Sequence, residues 1–449
     1  MVPRVHEPRA APPGVFGRQQ EVLVSEPVTT PVPQPSPSNG HGPRPVRGSE
    51  AHVGEPIIQI VDRLIRHALA EGASDIHIEP QGDRVLVRTR LDGFLVRARE
   101  LPHALHTAVV SRVKIMASLD IAERRVPQDG HIRLRTGEGE AYLRVSTLPS
   151  RYGEKVVLRL FEPRRGLLAL EELGFADTQL DAVGGMLGHS HGMILVTGPT
   201  GCGKTTTLRA CIHRLRAEHL NIVSVEDPIE YEIAGITQVQ INERVGLTFA
   251  ESLRAILRQD PDIVMLGEIR DAETADVAVR ASLTGHLLLS TMHTNDAASA
   301  ILRLVNLGID PYLIAASTIG VVAQRLVRLV CSGCRLPAPV PHAPVPEPSL
   351  LREGVGSLTG GRGCARCRHT GYRGRTGIYE LLLLDGDTRA LLAREGGATQ
   401  FHEAVRAGGR PTLFDDGLRK VTAGLTTLEE VLRVAPPPQA RASASAAVE

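Results

Sequence analysis

The chain has 449 residues, room for about three domains, and its 51 Lys and Arg nearly balance 50 Asp and Glu. That balance leaves no global field to attract DNA or anionic lipid, and seven Phe, six Tyr and no Trp are a poor supply of stacking platforms for single-stranded nucleic acid. No apolar run approaches the ~20 residues of a membrane span, and the N-terminus lacks the basic-then-apolar layout of a secretory signal. Four of the six cysteines fall in two Cys-x-x-Cys pairs, the pattern of a reduced metal site rather than a secreted disulfide framework. The cytoplasm is the expected compartment.

In chain order, residues 1–54 are rich in Pro, Val, Ser and Gly without helical or strand period and read as a disordered leader, either a tether or an inert tail. A small α+β domain is expected over 55–163. Ile57, Ile60, Val61, Leu64, Ile65, Ala68 and Leu69 recur at helical spacing, and Asp75–Ile78 and Val85–Arg88 alternate like strands. Asp92-Gly93 marks a hairpin turn, a second helix is predicted over roughly 103–119, and strands follow near 131–135, 141–147 and 155–161. After a linker at 163–172, helices alternate with apolar strands at 193–197, 222–225, 262–266 and 287–292. That alternation predicts an α/β core over 164–329 with a mainly parallel sheet. A third region, 330–434, holds the cysteine pairs, a Pro-rich insert and a helical segment. Residues 435–449 read as a disordered tail.

Gly198-Pro199-Thr200-Gly201-Cys202-Gly203-Lys204-Thr205 matches the phosphate-loop pattern G-x-x-x-x-G-K-[ST], between a predicted strand (193–197) and a predicted helix starting at Thr206. Glycines let backbone N–H groups turn toward phosphate oxygens, and the new helix adds its positive end. Lys204 can reach the β/γ-phosphates of ATP, and the Thr205 hydroxyl can complete a Mg²⁺ shell. Strand 263–266 ends in Gly267-Glu268, a carboxylate placed to orient Mg²⁺ through water. Glu226-Asp227-Pro228-Ile229-Glu230 clusters carboxylates at another strand end, either a source of the general base or a solvated acidic turn. His286 and His293 flank strand 287–290 and are either structural or reporters of the γ-phosphate.

Taken together, the phosphate loop, Glu226–Glu230, Arg258-Gln259-Asp260-Pro261-Asp262, Gly267–Asp271 and the His box Thr284–Asn295 resemble, in order, the motifs of the secretion ATPases of type II secretion and type IV pilus systems. Ser74–Pro80, Leu119–Gly130 and Arg375–Glu380 extend the resemblance over about 55–430. It implies a RecA-like P-loop ATPase domain with a smaller, PAS-like N-terminal α+β domain and a C-terminal zinc-binding and helical region, working as a homo-hexamer. It also implies that Glu230 is the general base, that Glu226 and Asp227 shape the acidic turn, and that Glu268 is the Mg²⁺-water acid. His286 and His293 would report the γ-phosphate, and Arg144 and Arg159 would reach nucleotide from the smaller domain. Arg254, Arg258, Arg270 and Arg375 match further basic positions near the site or a subunit interface. Two departures stand out. Secretion members usually carry an additional N-terminal docking domain, where here only the Pro-rich leader precedes Glu55. Cys202 stands where the loop usually has Ser, a similar filler with which ATP binding should survive.

Cys331-x-x-Cys334 and Cys364-x-x-Cys367 can place four thiolates on one tetrahedral Zn²⁺, a closed and therefore structural site; a redox pair is the alternative. The secretion and pilus-assembly branches resemble this chain in carrying a tetracysteine region, which retraction motors generally lack. The expected function is a cytoplasmic ATPase powering pseudopilus assembly at the inner membrane through platform proteins. It binds ATP, Mg²⁺ and Zn²⁺, with no nucleic-acid partner and no direct membrane insertion. A type IV pilus assembly ATPase is the alternative, and a nucleic-acid motor of related fold a more distant one.

Overall fold

Alternation of apolar residues with period two, interrupted by two helical stretches, builds one sheet in the first of two compact units, which divide at Glu162 and Pro163. The computed structural model describes residues 22–23, 56–136, 139–161, 168–230, 232–338, 358–393 and 397–437. The chain before Pro56 apart from 22–23, residues 162–167 with the first half of the 163–172 linker, most of the Pro-rich insert and the tail from 438 lie outside the described residues.

Within the leader, where no strand is expected, β1 (Val22–Leu23) pairs in parallel with Leu134 and Arg135. The apolar stripe of the first helix becomes α1 (Ile57–Ala70), burying Ile60, Val61, Leu64, Ile65 and Ala68. β2 (Asp75–Pro80), β3 (Arg84–Leu91) and β4 (Phe94–Pro102) follow, with β3 and β4 joined at Asp92 and Gly93. Both turn residues have positive φ (47° and 89°), the conformation an Asp-Gly pair supplies to a two-residue hairpin. α2 (His106–Met116) precedes β5 (Gln128–Thr136), β6 (Gly139–Ser150) and β7 (Gly153–Phe161). The sheet order is β1-β5-β6-β7-β2-β3-β4. One set of alternating residues, including Ile76, Val87, Leu143, Val145, Val156 and Leu158, joins α1 and α2 in a single core. The alternate set carries Arg144 and Arg159.

The second unit opens with α3 (Asp177–Leu187), β8 (Gly192–Thr197), α4 (Lys204–Leu215), β9 (Ile222–Glu226), β10 (Thr237–Gln240) and α5 (Phe249–Ile256). It continues with β11 (Ile263–Leu266), α6 (Ala272–Leu283), β12 (Leu287–Met292), α7 (Ala297–Asn306), α8 (Pro311–Ser317) and β13 (Thr318–Val330). The sheet order is β10-β9-β11-β12-β8-β13-β16, parallel except for the last strand. β8, β9, β11 and β12 are buried along their whole lengths, as a parallel sheet covered on both faces requires. Neighbouring residues alternate between cores: Met193, Leu195 and Val264 pack with α5–α7, and Ile194, Val196 and Met265 pack with α3 and α4. Side chains set the helix starts. Asp271 accepts from Thr274 N at 2.8 Å and Asp296 from Ser299 N at 2.7 Å, each satisfying a backbone donor the helix leaves unpaired.

β14 (Arg335–Ala338), β15 (Leu358–Gly361), β16 (Tyr372–Leu383), α9 (Gly386–Leu392), α10 (Gly397–Ala407), α11 (Leu413–Thr422) and α12 (Leu428–Val434) complete the chain. The sequence sets 330–434 apart as a third region; among the described residues its helices share a core with the parallel sheet, and the cysteines form a small cluster of their own. β16 runs antiparallel along β13, and Phe401, Leu413, Phe414, Leu418, Leu428 and Val431 share a core with Val264 and Leu288. Ala435, expected in the tail, is buried in that core. The described part of the Pro-rich insert, through Ala338, belongs to the two-stranded ribbon of β14 and β15.

Candidate nucleotide site and metal centre

Because β8, β9, β11 and β12 are parallel and in register, their C-terminal ends open along one edge of the sheet, where α/β folds bind ligands. That edge gathers the phosphate loop after β8, Glu226–Glu230 at the end of β9, Gly267-Glu268 after β11 and His293 after β12. Gly198, Gly201 and Gly203 have φ of 153°, 76° and 91°, the left-handed side where glycine is unstrained. At Gly198 there is no room either, since a Cβ would lie 2.5 Å from Cys202 Sγ and 2.6 Å from the Gln324 carbonyl. Cys202 is buried and thus fills a gap under the loop, as its replacement of Ser suggests. Lys204 opens α4, and its Nζ donates to the carbonyls of Gly198 (2.8 Å) and Pro199 (3.2 Å), folded back across the loop. Burial holds its ammonium pKa below the usual lysine range. Thr205 is exposed and Thr206 half-buried on the first turn.

Opposite the loop, Glu268 bonds Arg270 and lies 3.3 Å from His293 Nε2, while His293 Nδ1 is 3.5 Å from Lys204 Nζ. Burial pushes the Glu268 pKa up, but the Arg270 hydrogen bond and the charges of Arg270, His293 and Lys204 outweigh it, so its carboxyl titrates below the ordinary range. His293 is held below its usual value by burial and the Lys204 charge against the pull of Glu268. Arg270 also approaches Asp227 at 3.5 Å. Lys204, Glu268, Arg270 and His293 thus form one polar cluster around the loop.

His286 departs from its expected place. Its carbonyl accepts from Gly192 N (3.0 Å) at the start of β8, and its Nδ1 faces the Ala281 carbonyl at 3.1 Å. β12 has six residues, so the two histidines flanking it stand at opposite edges of the sheet, about 23 Å apart. Only His293 joins the phosphate loop. Arg254 is paired with Glu251 and Glu273 at 2.7 Å each, and exposed Arg258 donates to the Arg254 carbonyl at 2.9 Å. Arg375 is exposed on β16, opposite Arg328 of β13. In the first unit, Arg144 and Arg159 are exposed register partners, and Arg159 Nε donates to Asp75 Oδ1 at 3.0 Å.

Two residues that sequence reasoning gave no role frame the site. Gln324 on β13 donates to the Cys202 carbonyl (2.6 Å) and accepts from Thr207 Oγ1 (2.8 Å), fastening the phosphate loop to the next strand. Arg209, 3% exposed on α4, donates to Glu226 Oε2 at 2.8 Å and to Glu230 Oε2 at 3.1 Å. Glu226 is itself 3% exposed, and its other oxygen accepts from Ser224 Oγ (3.0 Å) and Gln238 Nε2 (2.8 Å). The only signal for Arg209 is a charge inside the apolar run Leu208, Ala210, Cys211, Ile212.

The four paired cysteines converge. Their sulfurs all lie within 4.8 Å of one another, with Cys331–Cys364 at 3.9 Å, Cys334–Cys367 at 3.7 Å and Cys364–Cys367 at 3.8 Å. Four thiolates at about 2.3 Å from one Zn²⁺ stand about 3.8 Å apart, so the donor set fits that ion. The Cys364 and Gly371 amides donate to Cys367 Sγ at 3.2 and 3.3 Å, the outer contacts that orient a ligating thiolate.

A profile of the family described as "Type II/IV secretion system protein" matches residues 50–433. Type II secretion system protein E of Pseudomonas aeruginosa is 50% identical over 387 residues, 84% of this chain and 75% of that protein. Type IV pilus assembly ATPase PilB of Thermus thermophilus is 48% identical over 381 residues, 83% of this chain but 42% of that protein. Among solved structures, the pilus retraction motor PilT with bound ADP aligns with a TM-score of 0.56 at 26% identity, covering 84% of this chain and 97% of that one. With its phosphate loop, acidic strand ends and His293 on one sheet edge, the chain belongs to the type II/IV secretion system protein family.

Proposed function

We propose that this chain hydrolyses ATP to drive a type II secretion machine, its motion passed to membrane platform proteins. The observation supporting this most directly is the junction of Lys204, Glu268 and His293 at one phosphate loop in a chain half identical to type II secretion proteins E. The amides of the 198–205 loop and Lys204 bind the triphosphate, Lys204 exchanging its two backbone carbonyls for phosphate oxygens. Glu230, with 32% of its side chain exposed, takes the proton of the attacking water. Thr205 and Glu268 would hold Mg²⁺, which when bound offsets the charge of the β- and γ-oxygens. Cys331, Cys334, Cys364 and Cys367 hold a structural Zn²⁺. Arg144 and Arg159 supply positive charge for hydrolysis in the assembled homo-hexamer, peripheral to the inner membrane. The PilB match supports pilus assembly as the second reading, with identical chemistry.

Lys204→Ala tests the reaction. With its only cationic phosphate ligand on the loop removed, turnover should fall by at least about 10²–10³-fold, as when a single transition-state donor is lost. Glu268→Gln should keep nucleotide binding and lose hydrolysis. Unchanged MgATP turnover in the Lys204→Ala protein would refute the assignment. Export of a secreted enzyme, rather than surface piliation, by cells complemented with the wild-type chain separates the two machines.

A further inference from the structure

Burying a guanidinium costs several kcal/mol unless geometry and hydrogen bonds repay it, and an apolar side chain of similar volume serves stability as well or better. Arg209 is nevertheless 3% exposed in the middle of α4, where Leu208, Ala210, Cys211 and Ile212 are all buried. What its guanidinium accomplishes is placement. One arm is anchored on Glu226, itself immobilised by Ser224 and Gln238; the other holds one oxygen of Glu230 at 3.1 Å and leaves that carboxylate about one-third open to water. Thr205 and Arg209 are four residues apart on α4 and share a helix face, about 6 Å apart along the axis. The same helix that begins at the phosphate loop therefore carries the clamp for Glu230.

We infer that Arg209 is a positioning residue for the hydrolytic carboxylate: it ties Glu230 to the phosphate-loop helix, so that the base and the bound phosphate move as one piece. The inference rests on Glu230 being the base. A carboxylate held on a loop after Pro228, without this tether, samples positions from which it cannot reach the water, and a misplacement of about 1 Å costs on the order of 10² in rate.

The test uses the full chain and MgATP. Arg209→Gln should lower kcat by about 10- to 100-fold with KM for ATP within about threefold, the split expected when only the transition state is affected. Arg209→Lys, which keeps one charged donor, should recover part of the loss. In a Glu230→Gln background, Arg209→Gln should add no further loss, because the residue acts through Glu230. Should Arg209→Gln fail to fold with Glu226 left unpaired, the paired Arg209→Gln/Glu226→Gln protein removes both buried charges and should show the same kcat loss. Wild-type kcat in a folded Arg209 variant, or a full second loss on top of Glu230→Gln, overturns the inference. Near-normal turnover in Glu230→Gln alone overturns the underlying assignment of the base and the inference with it.

Discussion

At the scale of single residues, the cluster around Lys204 was half legible. The glycine spacing, Lys204 and Glu268 follow from a motif whose chemistry demands them, and the structure brings them to one edge with His293. Arg209 and Gln324 were not legible, because their meaning lies in partners that only the sheet topology supplies: Thr207 and Gln324 meet across 117 residues of sequence. His286 was misplaced for the opposite reason, since a motif box reads as one site while the strand inside it spans the sheet. The cluster also sets a pH dependence. The folded pKa values of Glu268 and His293 both lie below their ordinary 4.5 and 6.5. Between each lowered value and its ordinary one, the unfolded chain binds protons that the folded chain refuses, so stability falls as pH falls through that window. The nucleotide-free protein should therefore melt at progressively lower temperature as pH drops from about 7 through 6.5, and again below about 4.5. His293→Gln should flatten the first decline. Calorimetric melts in a pH series decide this; an identical slope in wild type and variant would remove His293 as its source.

Elements were legible where period or punctuation was strong. The stripe of α1, the Asp-Gly turn and the buried strands around the phosphate loop all appear close to their expected positions. β13 and β16 are not legible because Thr318–Val330, an apolar run broken by Gln324, Arg325 and Arg328, has no clean period to tell strand from helix, and β16 is broken up by Gly374 and Gly377. Without them the cysteine region looks like a separate domain. In fact Cys331 directly follows the last residue of β13, and its amide bonds the Gly371 carbonyl beside β16 at 2.9 Å. The cysteine cluster thus closes the open end of a two-stranded extension. About one Zn²⁺ per chain is expected by elemental analysis, and Cys364→Ser should abolish it, since three thiolates leave the tetrahedral shell open. Hydrogen exchange in the variant should quicken in β14, β15 and the ends of β13 and β16 while a fluorescent ATP analogue still binds, because the first half of β13 stays paired with β8. Native protein with no metal and four freely titrating thiols would refute the site.

For the whole molecule, two compact units divide at residues 162–163, where the sequence places a linker, and the C-terminal helices share a core with the parallel sheet. At this scale the proposed function turns on Arg144 and Arg159, which sit in the unit that lacks the phosphate loop. Turnover per chain should rise with protein concentration as subunits associate, and Arg159→Ala should reduce kcat more than ATP affinity. A transition-state arginine is worth about 10³–10⁵ in rate, so a flat specific activity across dilution to a demonstrated monomer would be decisive against the ring. β13, meanwhile, makes one strand answer to two centres: Gln324 grips Cys202 of the phosphate loop, and Cys331 begins where the strand ends. An extended, hydrogen-bonded strand has little axial give, and packed interiors transmit strain rather than absorb it. β13 spans about 23 Å from Gln324 to Cys331, held in register by β8 along its first half and by β16 along most of its length, so the phosphate loop and the cysteine knuckle are fastened to one spine.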